Sequence, residues 1–180
     1  MVPEAPQEDS EHGRVATGDG WFVLNAQDAP WWERPGRGFY CEFEGKTDFP
    51  QYGINITVLR PGEPMSMYHW EADQEDFLVV AGEAVLIVEG RERVLRQWDL
   101  AHCPAGTEHT IIGGGDAPCV VVCTGARGAS TGPEWGAYTV AEAAQRHNAG
   151  VEHETTVPDE AYARFGKGAL TRYRDFLRLR

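Results

Sequence analysis

The stretch "MYHWEADQEDFLVVAGEAV", residues 67–85, decides how this chain is read. Met67, His69 and Glu71 share one parity, so on a strand they point to one face. Ala72, Asp73 and Gln74 make a turn. Glu75 then opens a second strand, with Phe77 and Val79 on its parity. Taken as a hairpin, the segment gathers His69, Glu71 and Glu75 just ahead of an apolar run. Charged groups on a face that leads into a core are costly unless they are paired or bind a metal.

A second element, "WDLAHCPAGTEHTI" at residues 98–111, supplies a partner. Pro104 and Gly106 form a turn and His109 opens a strand. If His109 faces the same interior, the set becomes two imidazoles and two carboxylates. That mixture suits one divalent ion: Fe(II), Mn(II), Ni(II) or Zn(II). A solitary His or Glu beside a turn is ordinarily solvated, so the gathering of four carries the reading. Gln74 reads as a turn residue rather than a support for a ligand. Tyr68 and Trp70, of opposite parity, pack outside the site. His102 reads as a buried, hydrogen-bonded histidine rather than a fifth ligand, and Cys103 as core. His12, His147 and His153 lie in polar segments and read as solvated.

Around these elements the chain is a run of short strands. "YGINITVL" ends at the turn "RPGEP", and "DFLVVAG" ends at Gly82. "EAVLIVEGRERVL" reads as a hairpin turning at Glu89-Gly90-Arg91, and "CVVVCTG" closes the series. Ala84, Leu86 and Val88 alternate with Val85 and Ile87. Both faces of that strand are apolar, which predicts a cover on each side, from a second sheet or from a partner subunit in a homodimer. Many short strands at regular intervals indicate an all-β sandwich or barrel. Residues 1–20 read as a flexible polar tail and 21–50 as an aromatic lead-in packed on the barrel. Residues 51–128 read as the barrel and 129–180 as a C-terminal extension with short helices. In the extension, "TVAEAAQRHNAG" reads as a helix capped by Thr139 and stopped by Gly150, and "VPDEAYARFG" as one more helical turn. The basic "RYRDFLRLR" reads as a segment that docks on the barrel or on a neighbouring subunit.

The 180 residues suit one domain, and 42% hydrophobic content is enough for a core. A formal net charge of −12 argues against nucleic-acid and anionic-membrane partners. No apolar run approaches the roughly 20 residues needed to cross a bilayer. The acidic "MVPEAPQEDSEHG" does not resemble a signal peptide. Cys119 and Cys123, four apart on a strand, sit roughly 13 Å from each other, too far for a disulfide. With Cys41 and Cys103 they read as reduced, buried thiols of a cytoplasmic protein.

These residues carry a family resemblance. Gly62, His69, Glu71, Glu75 and Gly82 resemble the first cupin motif, G-x(5)-H-x-H-x(3,4)-E-x(6)-G. Pro104, Gly106 and His109 resemble the second, G-x(5)-P-x-G-x(2)-H-x(3)-N. The fifteen residues between Gly82 and Trp98 match the short inter-motif spacing of microbial cupins. The resemblance covers residues 55–125. It departs from the pattern in four places: six residues separate Gly62 from His69, Glu71 replaces the second histidine, and Trp98 and Gly113 replace the outer glycine and asparagine of the second motif.

The resemblance implies a cupin barrel, a double-stranded β-helix of jelly-roll type, with short helical segments after it. It implies metal ligation by His69, Glu75 and His109, with Glu71 at a ligand position of changed type. Glu71 either completes a charge-neutral ligand set or stands off the metal. In the second case it leaves the two-histidine, one-carboxylate face of non-haem Fe(II) oxygenases and is free to act as a general base. The expected function is metal-dependent chemistry on a small organic molecule, dioxygenase-like first. A non-catalytic metal or ligand sensor and a sugar or polyol isomerase are the alternatives. A phosphorylated sugar calls for basic groups, and residues 51–88 offer only Arg60.

Overall fold

The computed structural model describes residues 1–46, 48–128 and 134–176. Two antiparallel sheets face each other across an apolar core. The larger runs Leu100–Cys103, Glu75–Ala81, Cys119–Ala126, Tyr52–Leu59, Phe39–Glu42, Trp31–Glu33 and Ala169–Thr171 from edge to edge. The smaller runs Gly136–Tyr138, His69–Glu71, His109–Gly113, Glu83–Val88 and Arg91–Arg96. Several neighbours in space are far apart in sequence, the jelly-roll arrangement of two closed-up sheets. Leu59, Phe77, Val79 and Val121 from the larger sheet meet Ala84, Leu86 and Ile111 from the smaller.

Alternation along each strand decides what covers the outer faces. On Glu83–Val88, Ala84 and Leu86 join the central core. Ile87 and Val85 turn outward against Tyr68, Ile112, Ala143, Ala144 and Ala149. The cover demanded by that doubly apolar strand is therefore the opposite sheet on one side and the helix Glu142–Arg146 on the other. Burying Ile87 completely there contributes about 1.5–3 kcal/mol, and the strand needs no partner subunit to achieve it. The larger sheet is covered in the same way. Phe39, Cys41 and Val58 turn outward against Ala29, Trp31 and Phe176. Phe176 stacks on Phe39 at 4.4 Å and Arg174 pairs with Glu33 at 2.6 Å, so the basic tail docks on its own barrel as far as residue 176. The last four residues of "RYRDFLRLR" lie outside the described residues.

Several expectations need correction. Residues 1–20 are not a tail without structure: Gln7–Asp9 pairs with Arg14–Ala16 in a hairpin. Ser10 closes its turn by donating to the Gly13 carbonyl, and Ala5 and Ala16 are buried beneath it. The Arg172 guanidinium donates to the Glu11 carbonyl and ties the hairpin to the far end of the chain. Thr139 does not cap the helix, whose first flanking residue is Ala141 without a side-chain cap. The hairpin after Val88 turns on Glu89 and Gly90 alone, both with positive φ, and Arg91 already pairs with Val88. That is the twist-matched two-residue turn.

Trp98 has a consequence for stability. Its N–H donates to Val79 and Asp99 N–H donates to Arg96, so Trp98 is the third residue of a tight turn, at φ 76°. A type II turn wants glycine there, and the resembled motif has one. Trp98 is 69% exposed and gains little from packing. Trp98→Gly is expected to relieve a left-handed cost of about 1–2 kcal/mol, less about 0.5–1 for glycine's freedom in the unfolded chain. The net is a melting temperature a few degrees higher by calorimetry. A lower one would mean that the indole holds the turn.

Candidate metal centre

His69 and His109 sit directly opposite each other on neighbouring strands of the smaller sheet, with ring centroids 5.0 Å apart. Glu75 belongs to the larger sheet. The segment from His69 to Glu75 is thus no hairpin. The strands His69–Glu71 and Glu75–Ala81 do not pair; they take ladder partners in different sheets. The three residues between them arch across the barrel, and this crossing aims ligands from both sheets at one interior point. Gly106 N–H donates to the Glu71 carbonyl at 2.8 Å, fastening the His109 loop to the same arch. Gly106 has φ 81°, as its turn requires.

The donor atoms of His69, Glu75 and His109 all lie within 4.8 Å of one another. Glu75 Oε2 is 2.9 Å from His109 Nε2 and 3.7 Å from His69 Nε2. Glu71 is close to His69, at 3.4 Å from Nε2, and stands outside the three-residue group. Both histidines are anchored behind. His69 Nδ1 lies 2.8 Å from the Met67 carbonyl and His109 Nδ1 2.9 Å from the Thr107 carbonyl. A carbonyl oxygen only accepts, so each ring carries its proton on Nδ1 and presents Nε2 to the centre. Nε2 of the neutral ring is an acceptor, and it faces a carboxylate. Two acceptors at that distance need a proton or a cation between them. A divalent ion fits this set by charge, by donor type and by the anchoring behind the rings that metal-binding histidines use.

The electrostatics agree. Burial works to lower the His69 imidazolium, yet a hydrogen bond that it would donate to Glu71 and the charges of Glu75 and Glu71 raise it overall. Burial works to raise Glu75, yet the hydrogen bond and charge of His109, with His69 behind, hold it below the usual carboxylate range. Both shifts favour positive charge beside the carboxylates.

His69 and Glu75, with Glu71, line a cavity of about 230 Å³. Asn55, Thr57 and Tyr40 line it from the larger sheet, and Trp135, Tyr138 and Tyr162 from the C-terminal extension. The inward parity is the reverse of the packing face: Tyr40 pairs with Thr57, between outward Phe39 and Cys41. Cys123, judged a core thiol, also reaches the lining; burial pushes its thiol up, so it stays protonated. Cys103 stays in the core, its thiol raised to about 11 by burial. All four cysteines are buried and free. His102 is not buried: its strand parity turns it outward, 53% exposed, against Asp76 at 2.6 Å. Gln74 donates to Asp76 and touches none of the donors. Arg60 pairs with Glu63 and is not in the lining. Arg34, outside both motifs, is in the lining. The extension aromatics and Arg34 lie tens of residues from either motif, and no local pattern marks them.

Residues 55–125 match the family model described as cupin domain. No curated protein matches the chain. Among solved structures, the chain is similar to a sugar phosphate isomerase of the cupin superfamily from Silicibacter pomeroyi, 26% identical with a TM-score of 0.45. The match covers 57% of this chain and 62% of that one, so the chain spans less than two thirds of that relative. It is also similar to the polyketide cyclase RemF from Streptomyces resistomycificus, 14% identical over 59% of this chain and 79% of that one, with a TM-score of 0.50. A protein with a double-stranded β-helix domain from Klebsiella pneumoniae is 19% identical over 58% and 88%, with a TM-score of 0.48. These likenesses concern the fold. Among the described residues no helix is long and apolar enough to cross a membrane.

Proposed function

The chain belongs to the cupin superfamily through its domain at residues 55–125, and from that premise we propose that it is a metalloenzyme acting on a small organic molecule, dioxygenase-like in its chemistry. One observation carries this: the donor atoms of His69, Glu75 and His109 lie within 4.8 Å of one another, while the fourth candidate, Glu71, falls outside that group and lines the cavity beside it, 3.4 Å from His69 Nε2. Two imidazoles and a carboxylate on one face, with other positions open, are the ligand set of non-haem Fe(II) oxygenases. His69, Glu75 and His109 would hold the ion. When bound, it supplies Lewis acidity and, as Fe(II), electrons for dioxygen.

The chain's own residues do the rest. The Met67 and Thr107 carbonyls keep both Nε2 atoms aimed at the centre. Glu71, half-exposed to the cavity, accepts a proton from a substrate hydroxyl or carbon. Tyr138 is held protonated by burial, with Tyr162 and Glu71 adding to the effect, so it donates a hydrogen bond and does not serve as a base. Phe77, Trp135 and Tyr162 exclude water around the substrate.

Proton transfer alone, as in a sugar or polyol isomerase, is the second reading, supported by the same position of Glu71. The experiment compares Glu71→Gln with Glu75→Gln. Glu75→Gln is expected to lose metal. Glu71→Gln is expected to keep it and to lose about 10²–10⁴ in turnover, the usual worth of a general base. Oxygen uptake by the Fe(II)-loaded protein is followed with catechols, thiols and flavonols. No uptake with any of them rules out the oxygenase reading. Metal loss in Glu71→Gln would make Glu71 a fourth ligand. Full metal content with no turnover in either reaction would leave a sensor.

A further inference from the structure

Four arginines around the barrel pair with acids: Arg127 with Glu44, Arg60 with Glu63, Arg146 with Glu92 and Arg174 with Glu33. Arg34 does not. It sits in the loop between Trp31–Glu33 and Phe39–Glu42 and lines the same cavity as His69, Glu71 and Glu75. Its guanidinium lies 4.4 Å over the Tyr40 ring, and Nη2 makes one long hydrogen bond, 3.3 Å, to the Arg37 carbonyl. Its Nε is shut off from solvent and has no acceptor. Arg37, stacked on Tyr162 at 4.1 Å, is in the same state at its own Nε. Among the described residues no carboxylate lies within ion-pair distance of either. Burial, with the charge of Arg37, lowers Arg34 to about 10, which still leaves it charged at neutral pH.

A buried charge without a partner is costly and persists where something else completes it. The cavity wall beside it offers more donors. Thr57 donates to Asn55 Oδ1 at 3.0 Å, which orients the amide and leaves its NH₂ group able to donate to a ligand. One cavity lining thus holds acceptors at His69, Glu71 and Glu75 and donors at Arg34 and Asn55.

We infer that Arg34 binds an anionic oxygen group of the substrate, a carboxylate or a phosphate, while the rest of the molecule reaches the metal centre. This rests on the reading of that centre as the reaction site. Arg34 acts as a specificity-determining residue: its planar fork matches two oxygens at once, and a cavity of about 230 Å³ suits a small acid. It also restores an anionic substrate to consideration, since the basic group comes from the lead-in.

The test uses calorimetric titration of the metal-loaded full chain with benzoate, phenyl phosphate and the neutral benzamide. At least one of the two anions is expected to bind and benzamide to bind far more weakly; which anion binds tells carboxylate from phosphate. Arg34→Gln should weaken the anion at least about tenfold, the worth of a charged hydrogen-bonded pair. Arg34→Lys, which keeps the charge without the planar fork, should recover part of it. Equal binding of benzamide, no anion binding by the parent, or an anion affinity in Arg34→Gln within about twofold of the parent would overturn the inference. The metal-free His109→Ala chain separates this from the metal reading. Anion binding that disappears there but survives in Arg34→Gln assigns the anion to the metal and overturns the role of Arg34. Anion binding that depends on Arg34 in a chain that takes up no metal sustains it, even as the metal reading fails.

Discussion

His109→Ala is expected to leave the purified protein without bound metal, as is His69→Ala. Each removes one of three donors whose atoms lie within 4.8 Å of one another. The loss of affinity should exceed the 10–100-fold that follows from disturbing only an outer partner of a metal-binding histidine. Elemental analysis of the purified parent and variants is the measurement. His109 is 2% exposed, so its removal also leaves a cavity. His109→Gln, which fills the space better, separates ligand loss from unfolding. Unchanged metal content in both alanine variants would refute the metal centre.

The second large effect is the stabilisation that metal brings and its dependence on pH. With free metal at a thousandfold excess over its dissociation constant, binding contributes about 4 kcal/mol, or about 8–16 °C in melting temperature for a chain of this size. Both imidazoles must present an unprotonated Nε2, so protons compete with the ion. The metal-free chain has the opposite preference. His69 is raised in the folded state, so its contribution is present below about pH 6.5 and is lost as pH rises through the folded value. Glu75 is lowered, so its contribution is present above about pH 4.5 and is lost as pH falls through its folded value. The metal-free protein is therefore best served in the mildly acid window between those limits, where imidazolium and carboxylate coexist. The loaded protein gains above that window. The melting-temperature shift produced by metal should grow between about pH 5 and pH 8. Equal shifts at both ends, by calorimetry with and without chelator, would show that the imidazoles do not bind the ion.

Much of this was readable from local pattern. Period-two alternation and turn residues mark the barrel strands, because one face of each must be buried. The donors His69, Glu75 and His109 could be named because two short motifs carry them at fixed offsets. Where reading failed, the cause was distance in sequence. The arch from His69 to Glu75 looked like a hairpin, since a three-residue turn is compatible with either. Only ladder partners far along the chain, Tyr138 and His109 for one strand and Cys103 and Gly125 for the other, separate the two. His102 looked buried because its strand neighbours are apolar, yet parity sets it outside.

The sequence by itself determined the fold class and offered four candidate donors, His69, Glu71, Glu75 and His109, because spacing along one strand or turn is a local property. Tertiary structure alone decided that Glu71 lies beside His69 but outside the cluster of His69, Glu75 and His109, that the chain's own helix covers the doubly apolar strand, and that Arg34 joins the cavity from the lead-in. Each depends on which distant segments pack together, and pairing across a barrel leaves no mark in the order of residues.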